Sequence, residues 1–202
     1  NGWWKTYMET IPDGYLDLLA AEEDASRIVH FHPTFVPGLL QTEGYAAAIT
    51  PVTTLKSMTD ADVAVFVQVR MLRQRAALLG PRPKELVCLM DERALRRPVG
   101  SPTTMRHQLD YLLELADQPT ITLIVVPFSE QPHAGLLGPF MLLQYEPGVD
   151  DLLCFEWQLG NILVRDRPDL VRHYHSLAAW LARTDHDGKN AKRLIAAARK
   201  EL

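Results

Sequence analysis

The sequence predicts one domain of the α+β class, with a helical N-terminal half, a central mixed or antiparallel sheet of about five strands, and two C-terminal helices. Three observations carry this prediction. Helical patterns are concentrated at the two ends of the chain, strand-like apolar runs lie between residues 85 and 164, and the last three runs follow one another without a helix between them. We place the helical part at about residues 1–80 and the sheet-containing part at about 81–202 of this single domain.

The first helix is predicted over residues 13–31, where apolar residues recur at helical spacing in an Ala/Glu-rich segment. His32-Pro33 ends it, because a residue that precedes proline is disfavoured in the α region. The apolar segment 35–40 is interrupted by a proline and a glycine, which oppose both helix and strand. We therefore expect a buried loop there.

Two more helices are predicted before the sheet. Thr42 is suited to cap a short helix that runs through Ile49. The segment 59–62 resembles a capping box, and the helix that follows it ends at Gly80. Apolar residues at spacings of three and four predict its buried stripe as Val65, Val69, Leu72, Ala76 and Leu79.

The second half alternates between strand and helix patterns. Five short apolar runs predict strands at residues 85–90, 121–126, 140–145, 152–157 and 162–164. The last three are separated only by turn residues, which indicates an antiparallel meander. Helices are predicted to begin at Ser101-Pro102, near Pro168 and near Gly188.

The composition excludes several classes of protein. A hydrophobic content of 47% with a net charge of −4 excludes a disordered chain. No apolar run approaches the roughly 18–20 residues that span a bilayer, and no secretory signal is present at the start. Cys88 and Cys154 lie in apolar runs, which is typical of buried thiols in a reducing compartment. We therefore expect a cytoplasmic protein.

Motifs for metals, cofactors and covalent catalysis are missing from the sequence, which contains no HExxH, CxxC, GxGxxG, Walker or GxSxG pattern. The pair His173 and His175 lies in a predicted helix, where residues i and i+2 point apart. The pair His30 and His32 is placed at a helix end, and the dipeptide 186–187 lacks the upstream partners of a metal phosphohydrolase. We expect no metal and no cofactor, and no catalytic residue is assigned.

Two polar segments follow predicted strands, and they form the candidate site. Loops that leave the ends of strands are natural walls of a pocket, and arginine favours a carboxylate, a phosphate or an acidic protein surface. The alternative is a set of surface arginines that pair with neighbouring acids. The candidate ligand- or partner-binding residues are Glu92, Arg96, Arg97, Phe128 and His133, with Phe140 beneath them.

Four segments carry a resemblance to a known family. They are Phe-Val-Pro-Gly-Leu-Leu-Gln-Thr-Glu-Gly-Tyr-Ala at 35–46, Asp-Glu-Arg-Ala-Leu-Arg-Arg-Pro-Val-Gly at 91–100, and the segments at 126–133 and 138–140. In this order, over about residues 13–185, they resemble the C-terminal domain of actinobacterial antitoxin-like, XRE-type helix-turn-helix transcription regulators. That domain is itself of unknown function.

The resemblance implies the sensor or partner-binding half of a regulator, without catalytic residues. In such regulators a small helix-turn-helix domain precedes this region, and a small protein of a second uncharacterised family is often encoded beside them. No helix-turn-helix pattern precedes Trp3, and residue 1 is Asn. We expect an excised domain or a stand-alone relative that contacts DNA only through a missing N-terminal domain, and that does not bind duplex DNA specifically by itself.

Two functions follow as expectations. The first is a non-catalytic regulatory domain that senses a small-molecule ligand or a small acidic protein partner, with a homodimer as a further expectation. The alternative is a small-molecule enzyme or former enzyme that uses Asp91, Glu92, Arg96 and Arg97 together with His133. Convergence of these side chains around one concave site favours the enzyme, and pairing with one another counts against it.

Overall fold

A six-stranded mixed sheet forms the centre of the computed structural model, which describes residues 2–54, 57–157, 160–183 and 189–202. Its strands are β1 (Arg27–His32), β2 (Glu85–Asp91), β3 (Ile121–Val126), β4 (Phe140–Gln144), β5 (Leu152–Trp157) and β6 (Gly160–Val164). The strands lie in the order β3-β2-β1-β4-β5-β6. All five predicted strands are present, and β1 is an additional one.

Helices from both ends of the chain pack against this sheet, which confirms the predicted α+β class. They are α1 (Asp13–Asp24), α2 (Glu43–Thr53), α3 (Asp60–Leu79), α4 (Arg93–Arg96), α5 (Pro102–Leu115), α6 (Pro168–Ala182) and α7 (Asn190–Lys200). Short 3-10 helices lie at Trp3–Tyr7, Gly38–Leu40 and Ala134–Leu137. The predicted start of the last helix near Gly188 and the dipeptide at 186–187 lie outside the described residues.

The predicted first helix over residues 13–31 is wrong in its second half. The helix α1 ends at Asp24, and residues Arg27–His32 form the strand β1 instead. This strand is paired on both sides, with β2 in parallel and with β4 antiparallel. Its residues are buried on both faces of the sheet, so the sequence shows no polar alternation that would have indicated a strand.

The connections explain the direction of each strand. Parallel strands require a crossover, and α2 and α3 supply it between β1 and β2, while α4 and α5 supply it between β2 and β3. The strands β4, β5 and β6 pair antiparallel with their neighbours, as the meander prediction stated. The carboxyl ends of β1, β2 and β3 therefore lie along one edge of the sheet.

Each face of the sheet carries its own core. The first core lies between the sheet face that bears Ile28 and Cys88 and the helices around it. Those helices contribute Leu18 from α1, Tyr45 from α2, Ala77 from α3, Leu109 from α5 and Ile195 from α7. The second core packs the opposite face against α6, which buries Val171, Ala178 and Leu181 there. No described helix combines the length and the apolar character needed to cross a membrane.

The helix starts agree with the sequence, whereas the buried stripe of α3 does not. Thr59 and Asp62 form a complete capping box, and Thr42 and Ser101 cap the first turns of α2 and α5. Of the predicted stripe, Val69 is buried, whereas Ala76 is exposed and Leu79 is 80% exposed. The inward face of α3 instead includes Arg73, whose charge is neutralised by a carboxylate in the core.

The loop at residues 35–40 packs inward, as predicted. Val36, Leu39 and Leu40 are buried, and a single 3-10 turn at Gly38–Leu40 is its only regular element. The side-chain amide of Gln41 donates to the carbonyl of Val36, which holds the loop closed. The segment thus joins β1 to α2 through the first core.

Candidate functional site

Four of the predicted site residues lie together with Asp91 at one edge of the sheet. Asp91 ends β2 and is paired in register with Val126 at the end of β3, because parallel strands end at the same edge. We call the side chains that meet there the Glu92 cluster. It consists of Asp91, Glu92, Arg96, Phe128 and His133.

Glu92 has both of its carboxylate oxygens occupied. Its Oε1 accepts from Nε of Arg96 at 2.9 Å, and its Oε2 accepts from the backbone N–H of Phe128 at 2.9 Å. Arg96 also pairs with Glu201, and its guanidinium lies over the ring of Phe128, 5.9 Å from the centroid. These charges are satisfied by one another.

Asp91 and His133 approach each other without a short hydrogen bond. Oδ1 of Asp91 accepts from the backbone N–H of Arg93 at 2.9 Å, and its Oδ2 lies 4.0 Å from Nε2 of His133. The imidazole packs against the rings of Phe31 and Trp180, and its side chain is only 4% exposed. Burial lowers the pKa of His133, so the ring stays neutral near pH 7.

The remaining two predicted residues do not join this cluster. Phe140 lies in the second core, fully buried, with its ring centroid 4.8 Å from that of Tyr174. Arg97 is exposed. The ring of Phe31 contacts the rings of both Phe140 and His133, and a binding role for Phe140 or Arg97 stays a prediction.

Cysteine chemistry finds no support in the structure. Cys88 and Cys154 are both buried, and burial raises the pKa of each thiol well above its usual range. A thiolate is the reactive form of cysteine, so these side chains are inert near neutral pH. In the described part of the chain, no three His, Cys, Asp or Glu side chains come together as a set of metal ligands.

Sequence reasoning missed a buried ion pair in the first core. Nε and Nη2 of Arg73 donate to Oε2 and Oε1 of Glu22 at 2.7 and 2.5 Å. The Arg73 side chain is 4% exposed, and that of Glu22 is 7% exposed. The guanidinium also lies over the ring of Tyr15, 5.6 Å from the centroid. The charged group is therefore held by one anion and one aromatic ring.

A second buried polar group lies on β1, the strand that replaces the second half of the predicted first helix. Residues i and i+2 of a strand share a face, so His30 and His32 both point into the first core. Nε2 of His30 lies 3.3 Å from Oε2 of Glu156, and neither ring nitrogen has a hydrogen-bond partner of good geometry among the described residues. Nδ1 of His32 accepts from the backbone N–H groups of Thr34 and Phe35.

Charges in this second group are set by burial and by their neighbours. Burial lowers the pKa of His32 to about 4, although Glu156 opposes the change. Burial alone would raise the pKa of Glu156, but His30, His32 and Arg73 together hold it well below its usual range. Glu156 is therefore ionised, and its side chain is 25% exposed.

A cavity of about 300 Å³ lies on the outer side of the Glu22–Arg73 pair. The 3-10 helix Trp3–Tyr7 forms one wall, α1 and α3 form the floor, and the segment that enters β2 closes the far side. We call it the Trp cavity. Its principal lining residues are Trp3, Trp4, Glu22, Arg73, Ala76 and Lys84.

The aromatic wall is fixed by packing. Trp4 is 8% exposed and packs with Leu19 and Val69 in a small apolar cluster outside the main core. The ring of Trp3 stands edge-on to that of Trp4, with centroids 5.8 Å apart, and is partly exposed. One indole thus anchors the 3-10 helix, and the other keeps accessible surface at the cavity.

Lys84 is the buried cation on the far side of the cavity. It is 9% exposed, its backbone N–H donates to the carbonyl of Ala77, and its Nζ donates to the carbonyl of Glu23 at 2.7 Å. Burial lowers the pKa of Lys84, and the nearby Arg82 lowers it further. Among the described residues this ammonium group makes one hydrogen bond, so it is suited to receive an additional acceptor.

Comparison with known proteins identifies the family but not the activity. Neither the curated proteins nor the solved structures include a match to this chain. The model of one protein family matches residues 15–197, which includes both buried polar groups and the Glu92 cluster. The chain therefore belongs to the family described as a domain of unknown function, DUF5753.

Proposed function

We propose that this chain is the ligand-sensing, non-catalytic domain of a cytoplasmic helix-turn-helix transcription regulator, and that the Trp cavity is its effector site. The observation that carries the proposal is the cavity of about 300 Å³ between the Trp3–Tyr7 helix and a floor that contains the Glu22–Arg73 ion pair.

The cavity has the size and composition of a small-molecule site. Such sites are typically about 300–1,000 Å³ in volume, mostly apolar, with a few fixed polar groups. Trp3, Trp4 and Ala76 supply apolar surface, while Arg73 and Lys84 supply polar groups. Because Glu22 holds Arg73 at two points, the floor of the cavity is rigid before any ligand arrives.

The position of the cavity suggests how a ligand would act on an attached domain. In the regulators that this chain resembles, the DNA-binding domain precedes this region, and the Trp3–Tyr7 helix is the described element on that side. A ligand that touches both Trp3 and Lys84 favours the docked state of that helix over the undocked state. Regulation requires such a difference in affinity between two states.

The Glu92 cluster supports the non-catalytic part of the proposal. Both oxygens of Glu92 are bonded, Arg96 is shared between Glu92 and Glu201, and His133 is buried against aromatic rings. Glu92 and Arg96 pair with each other, which is the geometry that counts against an enzyme.

A cavity-filling substitution tests the proposal in cells. Ala76 is exposed on α3 and lines the cavity, so Ala76→Phe fills the space without disturbing the core. Ala64→Phe, at an exposed position on the same helix, is the matched control. In the full-length regulator, we expect Ala76→Phe to change the output of a reporter fused to its target promoter and Ala64→Phe to leave it unchanged. Equal output from wild type and both variants would contradict the proposal.

A further inference from the structure

From the charges and rings that line the Trp cavity, we infer that its ligand is a planar aromatic anion. The ring lies against Trp3 and Trp4, and the acidic group accepts hydrogen bonds from Lys84. This inference rests on the proposed function, because it names the chemical class of the effector at the same site.

The sign of the ligand charge follows from the lining residues. The cationic side chains that line the cavity are Arg73, Arg82 and Lys84, against the carboxylates of Glu22 and Glu23. Glu22 forms a two-point ion pair with Arg73, so this pair presents no net charge to a ligand. Burial and the positive charge of Arg82 lower the pKa of Lys84 by more than the nearby carboxylates of α1 raise it. An anion at this position would stabilise the charged ammonium group.

The geometry of Lys84 also fits an anion. Its side chain is more than nine-tenths buried, and the carbonyl of Glu23 is the one acceptor that it reaches within the described residues. An ammonium has three N–H donors, and a compact charge of this kind binds carboxylate, sulfonate or phosphate oxygens. The two remaining N–H groups are therefore suited to hold such a group inside the cavity.

The aromatic part of the ligand is inferred from the two indoles that line the cavity. Trp3 is partly exposed, and its ring stands edge-on to that of Trp4. Two indoles in this arrangement offer a ring face and a ring edge, which are the two surfaces that aromatic ligands prefer. A flat ring satisfies both walls of the cavity more fully than a flexible aliphatic chain.

Two dyes of similar shape and different charge test the inference. The anionic probe is 8-anilino-1-naphthalenesulfonate, and the neutral probe is N-phenyl-1-naphthylamine, which lacks the sulfonate. Fluorescence titrations of the folded chain give the affinity for each dye. The variants are Lys84→Met, Lys84→Arg and Trp3→Ala, with Lys200→Met as the control at an exposed lysine of α7. Far-UV circular dichroism and thermal unfolding verify that each variant is folded.

We expect Lys84→Met to lower the affinity for the anionic dye about tenfold and to change the affinity for the neutral dye by less than about twofold. Lys84→Arg and Lys200→Met should retain the affinity for both dyes. Trp3→Ala should weaken the binding of both dyes. If Lys84→Met fails to fold, the wild-type chain decides the sign of the charge, because binding of the neutral dye as tight as that of the anionic dye would overturn the anion assignment. Equal loss of the two dyes in Lys84→Met, or no loss of either, would overturn the anion assignment. If Trp3→Ala still weakens the binding of both dyes in that case, the cavity remains the binding site. If Trp3→Ala changes the affinity for neither dye, the result would count against the cavity itself.

Discussion

Arg73 and Glu22 form a two-point ion pair in the first core, with Nε and Nη2 of Arg73 at 2.7 and 2.5 Å from the two carboxylate oxygens. Both side chains are less than a tenth exposed. The pair joins α3 to α1 beneath the Trp cavity, and it neutralises a charge that burial would otherwise penalise heavily.

Removal of one partner from this pair is predicted to destabilise the protein severely. Glu22→Gln leaves the Arg73 guanidinium buried without an anion, which typically costs about 3–5 kcal/mol of unfolding free energy. Urea denaturation measures the loss. The double variant Glu22→Leu/Arg73→Met replaces the charges by apolar groups and should recover most of it.

An exposed ion pair provides the control for that prediction. Arg167 and Asp169 are bonded at two points, but both side chains are about 60% exposed. We expect Asp169→Asn to leave the urea midpoint within experimental error, because water replaces the lost contact. A loss in Asp169→Asn as large as that in Glu22→Gln would show that burial is not what makes the core pair important.

Gly135 is predicted to be intolerant of any side chain. A Cβ atom at this position would lie 2.8 Å from Cε1 of Phe31, which is fully buried and cannot retreat. Gly135→Ala should therefore lower the unfolding free energy by about 1–3 kcal/mol. At Gly138 the backbone is extended and no atom lies within 4 Å of the same position, so Gly138→Ala should be nearly neutral in the same thermal unfolding assay.

Acid is predicted to destabilise the fold through His32. Its pKa is about 4 in the folded protein against 6.5 in the unfolded chain, so the unfolded state binds the proton first as the pH falls. The contribution is complete above pH 6.5 and is lost between pH 6.5 and about 4, by up to about 3 kcal/mol. Urea midpoints measured across this range give the slope.

The variant His32→Asn isolates the contribution of this one imidazole. The amide oxygen of Asn can accept from the backbone N–H groups of Thr34 and Phe35, as Nδ1 of His32 does, but it does not titrate. We expect a smaller slope between pH 4 and 6.5, with a remainder from His133, whose pKa is also lowered. The depressed pKa of Glu156 acts in the same direction at lower pH. An unchanged slope would contradict the assignment to His32.

Leu39 is predicted to be a major anchor of the loop between β1 and α2. Its side chain is fully buried although the backbone around it is irregular. Leu39→Ala should cost about 2–5 kcal/mol of unfolding free energy, because the rigid surroundings cannot close the space. A loss below about 1 kcal/mol would mean that the loop collapses around the deletion.

Much of the fold could be predicted from the sequence because local signals agreed with tertiary packing. The capping residues Thr59 and Ser101 and the β-branched run at β3 each fix an element on their own. The strand β1 could not be predicted, because it follows an Ala/Glu-rich helix and is buried on both faces. Its pairing with β2 and β4, which is not local, decides its conformation.

The site was harder to predict than the fold, and the reason is physical. Glu22 and Arg73 are 51 residues apart in the chain, and an arginine in a helix pattern is ordinarily taken as solvent-facing. The adjacent tryptophans Trp3 and Trp4 were the available signal, but two consecutive residues show no periodicity from which the wall of a cavity could be predicted. By contrast, the segments of Glu92 and Phe128 were expected together because each leaves the end of a strand, and the structure shows those two strands to be parallel neighbours.

Hydrogen exchange of the residues in the Trp3–Tyr7 helix tests the central claim most directly. Exchange is measured by mass spectrometry for the wild-type chain and for the double variant Arg96→Ala/His133→Ala, each with and without 8-anilino-1-naphthalenesulfonate. We predict that the dye slows exchange in the Trp3–Tyr7 segment equally in both proteins, because the Glu92 cluster takes no part in binding. Protection that appears instead at residues 91–97 and 128–133, and that is lost in the double variant, would contradict the account and place the effector site at the Glu92 cluster.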